Sequence, residues 1–275
     1  KKLEKNSKKQ IFLLKSKINT GCTGGYNIGY HFGTISGYEY ISRIDNDCTV
    51  SNNFLEKKVT YLDKNKSYVG LNSKVCYLQN KKYIQWVGSK FSYKLIFHRS
   101  TRIFKKTKFE NQIRANLEKN WKGIISTDAL NGPGSLIRSA VFKKTKYSDV
   151  EFFFGPEDVE LSNRIKRFGK IAVFLDSKIY HEVAQSSKLT GLNKRSYYEY
   201  KSQILLIRKI YSFPIFIISI LYFILGLFFQ TIIYKLINNK KNDYKINMKY
   251  LALIDYLNNN LGISDLIQIN KEKNK

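Results

Sequence analysis

The sequence predicts an α/β fold followed by a C-terminal helical region. Three observations carry this prediction. An apolar run, a glycine-rich stretch, a weak helical pattern and a second strand-like run follow one another near the start of the chain. A helix with clear start and stop signals precedes another strand-like run near residue 170. Beyond residue 201 the composition changes to a long uncharged segment.

The first predicted unit is a strand, a loop, a helix and a second strand. Residues 10–14 are a short apolar run typical of a buried strand, and residues 19–25 form a turn-rich, glycine-rich loop. Residues 26–32 weakly favour a helix, and residues 38–44 are aromatic and β-branched, as in a strand. That strand ends in an Asp-Asn-Asp tip. In open α/β sheets, ligands bind beyond the carboxyl ends of the strands, where this loop and this tip would meet.

The second half repeats the strand-and-helix pattern after a region without a clear period. Residues 51–122 are lysine-rich with short aromatic runs, and their topology is not assigned. Residues 131–138 predict a turn that enters an apolar segment. Pro156 in the first turn and Gly169 at the end delimit a helix over residues 159–169. A strand over residues 171–175 follows, and this segment closes at His181.

The net charge restricts the classes of partner. The 275 residues contain 48 Lys plus Arg against 21 Asp plus Glu, which gives a net charge of +27. Such an excess indicates a polyanionic partner, such as nucleic acid, anionic lipid or a phosphorylated substrate. Disorder is opposed by 20 Tyr and 18 Phe. Three separated cysteines indicate neither a zinc ribbon nor a disulfide framework, so a reducing cytosol is expected.

Five residues are candidates for chemistry. Asp45 and Asp47, two positions apart on an extended chain, point to one side and could hold a divalent cation, or they could form an Asx-rich turn. Glu157 and Asp158 begin a helix, so they either complement its dipole or supply a general base. His181 is either a structural hydrogen-bonding residue or the nitrogen ligand that completes a site suited to Mn²⁺ or Mg²⁺.

These signals occur in the order and spacing of one family. Residues 19–29 match the pattern N-x-G-x-x-G-G-x-N-x-G, and residues 44–47 read Ile-Asp-Asn-Asp. Residues 132–138 read GPGSLIR, residues 153–164 read FFGPEDVELSNR, and His181 follows. The chain resembles the family 2 glycosyltransferases with a GT-A fold, especially the bacterial rhamnosyl- and galactofuranosyl-transferase-like members that build surface polysaccharides. The resemblance covers residues 10–262 apart from the middle.

The resemblance implies a mixed sheet flanked by helices and an inverting sugar transfer from a nucleotide-diphosphate donor. Asp158 would be the general base that deprotonates the acceptor hydroxyl. Mn²⁺ or Mg²⁺ would be held by Asp45, Asp47 and His181 and would neutralise the departing diphosphate. The donor, or for some of them the acceptor, would be bound by Gly24, Gly25, Asn27, Asp45, Gly132, Gly134, Arg138 and Glu157.

The start of the chain departs from this family. Members begin with a further βαβ segment whose D-N-x-S-x-D-like string contacts the nucleotide base, and none precedes residue 10. An N-terminal truncation is therefore expected, with residues 1–200 forming a catalytic domain that lacks its first βαβ segment. Residues 201–275 would form the C-terminal helical region. A non-catalytic, membrane-bound remnant of a glycosyltransferase is the alternative that this short start supports.

The C-terminal region contains a candidate membrane segment. Residues 213–234 are 22 residues without a charge, long enough to span a bilayer. Residues 193–212 and 235–254 each contain five Lys or Arg, so the flanks give no orientation, and a re-entrant segment on the cytosolic side fits them. A buried core helix is the alternative. The cytoplasmic face of the cell membrane and a glycan or polyprenyl-linked acceptor are thus expected.

A nucleic-acid-binding protein is the remaining alternative. It would explain the net charge of +27 and the 20 tyrosines, because bases stack on aromatic rings and phosphates attract lysines. It would leave the acidic tip, His181 and the apolar segment unexplained. The sequence therefore predicts a nucleotide-sugar and lipid partner and no nucleic acid.

Overall fold

A computed structural model of the chain describes residues 10–81, 83–92, 99–102, 122–182, 192–236 and 240–262. The strands are β1 (Tyr40–Ser42), β2 (Cys48–Val50), β3 (Tyr68–Tyr77), β4 (Ile84–Trp86), β5 (Ser89–Ser92), β6 (Arg99–Arg102), β7 (Ile124–Ser126), β8 (Ser135–Arg138) and β9 (Lys170–His181). The helices are α1 (Gly21–Ile35), α2 (Glu56–Lys64), α3 (Ser139–Thr145), α4 (Glu157–Ile165), α5 (Leu192–Ile210), α6 (Phe213–Leu236) and α7 (Lys240–Leu257).

Seven strands form one mixed sheet in the order β1-β8-β3-β9-β2, with β4 beside β3 and β7 beside β9. The long strands β3 and β9 are parallel, whereas β8 runs antiparallel to both β1 and β3. Strands β1, β3 and β9 therefore share one direction, and their carboxyl ends lie at one edge of the sheet. Strands β5 and β6 form a separate antiparallel pair.

Two layers of helices cover the sheet, because neighbouring residues of a strand point to opposite faces. Ile137 of β8 packs in a cluster with Tyr30 of α1 and Phe142 of α3, whose rings stack at 4.3 Å. Its neighbour Leu136 packs on the other face with Leu62 of α2. These apolar clusters place the core on both sides of the central strands.

The start of the chain differs from the sequence prediction. The strand predicted at residues 10–14 is wrong: Ile11 is 97% and Leu13 78% exposed. A strand needs a hydrogen-bonded neighbour, and no strand of the described residues lies beside this segment. The loop predicted at residues 19–25 is mostly the first turns of α1, which begins at Gly21. The helix at 26–32 and the strand at 38–44 are confirmed as parts of α1 and β1.

The part of the chain from residue 156 to residue 181 follows the prediction closely. Helix α4 continues as a 3₁₀ turn to Phe168, and Gly169 ends it at a φ of 157°. Strand β9 then runs to His181 and is longer than the predicted strand. Of the region that the sequence left unassigned, residues 82, 93–98 and 103–121 lie outside the described residues. The rest supplies α2, the central strand β3 and the short strands β4 to β6.

The C-terminal region contains three helices that pack on one another. One face of α6 is buried through Phe216 and Leu227, which pack against Ile204 of α5 and Leu253 of α7. Among the described residues, α6 alone is long and apolar enough to cross a membrane, by length and composition, with a mean hydropathy of 2.4 over Phe213–Ile233. Only 17% of its most apolar stretch is buried, so α6 is not an ordinary core helix.

Candidate active site

Arg43 lies among three carboxylates at the carboxyl end of β1. Its Nε is 3.1 Å from Asp45 Oδ1, and its Nη1 is 2.8 Å from Asp158 Oδ1 and 3.9 Å from Glu157 Oε1. The Arg43 side chain is 9% exposed, so these contacts are largely shielded from water. One guanidinium thus links the acidic tip after β1 to the acidic first turn of α4.

The local chain is built around this guanidinium. Tyr26 of α1 lies beneath it, with its ring centroid 3.3 Å from the guanidinium carbon. Gly134 N donates to Arg43 O at 2.9 Å, which fixes the Gly132–Gly134 turn beside the end of β1. A Cβ added to Gly132 would lie 2.2 Å from Arg43 Nη2. A side chain at position 132 would therefore force the guanidinium of Arg43 to shift from this place.

A buried lysine supports the same turn from below. Lys58 of α2 is fully buried, and its Nζ donates to Gly134 O at 2.8 Å. The Nζ also lies 3.7 Å from the centroid of the Phe54 ring. Burial lowers the pKa of Lys58 well below its ordinary value. The Gly134 carbonyl, which also accepts from Ser73 N at 3.1 Å, is held firmly in place.

The neighbouring acids Glu157 and Asp158 differ in their contact with Arg43. Burial and the adjacent Asp158 carboxylate raise the pKa of Glu157 to about 8, with Arg43 opposing this shift. Burial also raises the pKa of Asp158, but Arg43 and the backbone N–H of Gly132 stabilise its charged form by direct contact. Arg43 Nη1 is 2.8 Å from Asp158 and 3.9 Å from Glu157, so it favours the charged form of Asp158 more than that of Glu157.

A second cluster lies beside the first, where β2 meets the end of β9. Asp47 Oδ1 is 3.4 Å from His181 Nε2 and 3.8 Å from Cys48 Sγ. Each of these three side chains offers one ligand atom, and the three atoms lie within 4.8 Å of one another. Among the described residues, this is the group of His, Cys, Asp or Glu side chains that is close enough to hold a metal ion. Burial and the carboxylates of Asp45 and Asp47 raise the pKa of the Cys48 thiol to about 12.

The orientation of His181 fits a metal ligand. Its Nδ1–H donates to Gln85 Oε1 at 3.0 Å, which leaves the lone pair of Nε2 on the side of Asp47. A hydrogen bond of this kind fixes the tautomer of metal-binding histidines. Asp47, Cys48 and His181 thus offer oxygen, sulfur and nitrogen ligands to a divalent cation. The carboxylate of Asp45, the other predicted ligand, contacts Arg43 instead.

Other residues predicted for the site have different partners. Gly24 and Gly25 lie within α1, where a Cβ on Gly24 would lie 2.3 Å from Thr20 Cβ. Both ends of the Asn27 amide pair with the backbone of Ser148, at 2.7 and 2.9 Å. Asn27 thus ties α1 to Ser148, whereas Gly25 is exposed, with nothing within 4 Å of an added Cβ.

Arg138 is not brought to the acidic cluster. It lies at the end of β8 opposite to Gly134, because β8 runs antiparallel to β1. Its guanidinium donates to Tyr68 O at 3.0 Å, Tyr40 Oη at 2.8 Å and Leu62 O at 2.5 Å. Arg138 thus joins β1, β3 and α2 at the far edge of the sheet.

A cavity of about 1000 Å³ opens on the opposite face of α4. Its lining includes Arg164, whose Nε and Nη2 each donate to a carboxylate oxygen of Glu160 at 2.6 Å. It also includes Lys209, which forms ion pairs with Asp149 and Glu151. These charges are matched within the protein. The lining of the cavity does not include Arg43, Asp45 or Asp158, so the cavity is separate from the acidic cluster around Arg43.

Four residues of the two clusters were not predicted from the sequence. Arg43 stands two residues before Asp45, at the end of the strand predicted over residues 38–44, so a period of two would have placed both on one side. Cys48 directly follows the acidic tip, which was a usable signal. Tyr26 and Gln85 gave none, since one lies on a weakly patterned helix and the other in the unassigned middle.

Comparison with solved structures defines the class of fold. A crystal structure of GalNAc-T7 with UDP, GalNAc and Mn²⁺ is similar at a TM-score of 0.52 and 16% identity, over 71% of this chain and 36% of that one. Residues 1–349 of S. aureus TarS give a TM-score of 0.40 at 13% identity, over 72% of this chain and 48% of that one. The same TarS segment with UDP gives 0.38 at 13% identity, over 70% and 47% of the two chains.

The chain has the GT-A fold of nucleotide-sugar glycosyltransferases. It spans between 36% and 48% of the length of these structures. No protein-family model matches the chain. No curated protein matches it either.

Proposed function

We propose that this chain transfers a sugar from a nucleotide-diphosphate donor to an acceptor hydroxyl with inversion at the anomeric carbon. The observation that carries the proposal is the carboxylate of Asp158, held by Arg43 beside the acidic tip after β1. Through Arg43, Asp158 in the first turn of α4 lies next to the carboxyl end of β1, and α/β proteins bind ligands at the carboxyl ends of their strands. The GalNAc-T7 structure with UDP, GalNAc and Mn²⁺ supports the class of donor.

In this proposal Asp158 is the general base. One of its oxygens takes the proton of the acceptor hydroxyl, whose oxygen forms a bond to the anomeric carbon. The bond from that carbon to the diphosphate oxygen breaks on the opposite side, and the diphosphate leaves with the electron pair. Arg43 keeps Asp158 charged and in place before the proton moves. Glu157, which holds its proton, adds no second negative charge beside the base.

Of the three metal ligands that the resemblance implies, Asp47 and His181 lie together and would hold the divalent cation, Mn²⁺ or Mg²⁺, while Asp45 contacts Arg43. A bound cation would neutralise the negative charge that develops on the departing diphosphate. The GalNAc-T7 structure contains Mn²⁺, which supports a divalent cation in a protein of this fold. Asp45, held by Arg43, would face the ribose of the nucleotide donor.

The motif order supports a narrower assignment. The strings at residues 19–29, 132–138 and 153–164 favour the family 2 rhamnosyl- and galactofuranosyl-transferase-like enzymes, whose role is surface polysaccharide synthesis. The acceptor would then be a glycan, and a polyprenyl-linked one if the enzyme works at a lipid surface. Residues 1–200 would form the catalytic domain and residues 201–275 the helical region that places it.

The exposed face of α6 supports placement on the cytoplasmic face of a membrane. Leu221, Leu225, Phe228 and Phe229 are each more than half exposed, while the opposite face packs on α5 and α7. Lys249 of α7 donates to Gln230 of α6 at 2.8 Å, so the polar neighbours stay attached along the helix. A helix covered along one side by charged neighbours fits an orientation in the plane of the lipid surface better than a span. Basic residues on both flanks would attract anionic lipid.

The test is hydrolysis or transfer of nucleotide-diphosphate sugars by the purified full chain, with and without divalent cation. The expected result is cation-dependent release of nucleoside diphosphate, lost in Asp47→Asn and kept in the matched surface variant Asp63→Asn. No release from any nucleotide sugar by a folded protein would contradict the proposal. That outcome would instead support the non-catalytic remnant.

A further inference from the structure

We propose that Cys48 is the third protein ligand of the cation site and that the site prefers a thiophilic divalent ion, Zn²⁺ or Co²⁺, to Mg²⁺. The inference deepens the proposed function, since it concerns the cation site placed there. It differs from the motif-based expectation, which has oxygen and nitrogen ligands only and does not include Cys48.

The pairing of β2 with β9 brings the three side chains together. Cys48 and His181 are directly opposite in this antiparallel pair, so their side chains lie on the same face of the sheet. Glu182 N donates to Asp47 O at 3.0 Å, which holds the residue before Cys48 against the end of β9. The backbone therefore fixes Cys48 beside His181 before any cation binds.

The two distances from Asp47 to the other ligand atoms fit a tetrahedral ion. Bonds of the lengths that Zn²⁺ makes to oxygen, nitrogen and sulfur, set at the tetrahedral angle, separate O from N by about 3.4 Å and O from S by about 3.6 Å. The observed separations from Asp47 Oδ1 are 3.4 Å to His181 Nε2 and 3.8 Å to Cys48 Sγ. Octahedral Mg²⁺ would bring neighbouring ligands to about 2.9 Å.

The donor types point the same way as the distances. Mg²⁺ takes oxygen ligands, and only Asp47 offers a carboxylate here because Asp45 is paired with Arg43. Thiolate and imidazole suit Zn²⁺ and Co²⁺, with Mn²⁺ binding more weakly than either. On binding, the Cys48 thiol would release its proton to solvent, and the sulfur would donate the electron pair. Three protein ligands would leave one position for a diphosphate oxygen or a water molecule.

Cys48 also touches the apolar cluster around Val75 and Ile179, so packing alone is the competing role for its sulfur. A serine at position 48 separates the two roles, since it nearly keeps the volume and removes the soft ligand. Cys22 in α1 is the matched control: it is another half-buried free thiol, and it lies outside the cation cluster.

The experiment is a Co²⁺ titration of the untagged, metal-free full chain, followed by near-ultraviolet absorption. We expect a sulfur-to-cobalt charge-transfer band that saturates at one Co²⁺ per chain in the wild type and in Cys22→Ser. The band should vanish in Cys48→Ser, and Co²⁺ and Zn²⁺ should bind that variant about tenfold more weakly or worse. Binding of Mg²⁺ should change little. Circular dichroism and melting of Cys48→Ser and Cys48→Ala would verify the fold.

Two outcomes would overturn the proposal: a wild type that binds no Co²⁺ or binds it without the band, or a Cys48→Ser variant that binds Co²⁺ and Zn²⁺ as the wild type does. The readout is independent of sugar transfer. A cobalt band without transfer activity would support the ligand set and count against the proposed function. Transfer activity without the cobalt band would support the proposed function and count against Cys48 as a ligand.

Discussion

Arg43 Nη1 contacts Asp158 Oδ1 at 2.8 Å across 115 residues of chain. The proposed base is thus part of a group in which one buried cation serves Asp158 and Asp45 together. This arrangement places a guanidinium that is 9% exposed against two carboxylates that are 23% and 27% exposed. Substitutions at Arg43, Gly132 or Glu157 should therefore change the environment of Asp158 although Asp158 itself is retained.

Replacing Arg43 by glutamine should reduce both stability and activity. Asp158 and Asp45 would lose the guanidinium with which they form ion pairs in a partly buried site. We therefore expect the free energy of unfolding to fall by about 2–3 kcal/mol. The pKa of Asp158 should rise, so the acid limb of the rate profile should move to higher pH. Arg43→Lys keeps the charge but cannot contact both acids through a planar guanidinium. Its stability and activity should therefore lie between those of the wild type and those of Arg43→Gln. Urea unfolding and the pH dependence of transfer check this, and an unchanged Arg43→Gln variant would contradict it.

The buried Glu157 should make the protein less stable as the pH rises. Its pKa is raised to about 8 from an ordinary 4.5, so between these values the folded chain holds a proton that the unfolded chain releases. The free energy of unfolding should therefore decrease from about pH 5 to pH 8. In Glu157→Gln this decrease should be smaller, whereas the exposed-acid control Glu56→Gln should behave as the wild type. Equal slopes in all three proteins would show that Glu157 is ionised throughout.

A methyl group at position 132 should displace the guanidinium. The Cβ of alanine would lie 2.2 Å from Arg43 Nη2, so we expect Gly132→Ala to lower kcat by about tenfold to a hundredfold. Gly29→Ala is the matched control, because nothing lies within 4 Å of its added Cβ and alanine favours the helix by about 0.5–1 kcal/mol. Steady-state kinetics and melting of both variants test this. A Gly132→Ala enzyme with wild-type kcat would show that the position of Arg43 is unimportant.

The exposed face of α6 should bind anionic lipid. Phe228 and Phe229 are 57% and 60% exposed, and replacing either by serine should weaken binding to phosphatidylglycerol vesicles by about tenfold. Ile35→Ser, which removes an exposed apolar side chain of α1, should bind as the wild type in the same flotation assay. A wild type that does not float with vesicles would contradict the assignment.

The depth of α6 in the lipid distinguishes an in-plane helix from a span. Ile218 and Phe229 lie on nearly the same side of the helix, about 16 Å apart along its axis. Fluorescent probes at these two positions should be quenched by brominated lipids to the same depth if the helix lies in the plane. Different depths would indicate that α6 crosses the bilayer.

The sequence predicted the parts of the fold that depend on local signals. Pro156 and Gly169 delimit the helix that carries Asp158, and the aromatic run at residues 38–44 contains β1. The segment at 10–14 has the composition of a strand, yet composition cannot supply the hydrogen-bonded neighbour that a strand requires. The central strand β3 stayed unassigned because both of its faces are buried, which removes the alternation of apolar and polar residues.

The candidate site was predicted as a set of acids and a histidine, without the residues that organise them. Asp47 and His181 come together through strand pairing, and Asp158 reaches the tip after β1 through Arg43. Contacts of this kind join positions over 100 residues apart and leave no trace in local spacing. Arg138 illustrates the converse: its place in the motif is close to Gly134, but four residues of extended strand carry it to the other edge of the sheet.

The replacement of Asp158 by asparagine tests the central claim most directly. Asparagine keeps the size of the side chain and removes the group that accepts the proton. We expect Asp158→Asn to lose nucleotide-sugar transfer by at least about a hundredfold, with an unchanged affinity for the nucleotide diphosphate and an intact fold by circular dichroism. Transfer at the wild-type rate by Asp158→Asn would show that Asp158 is not the general base.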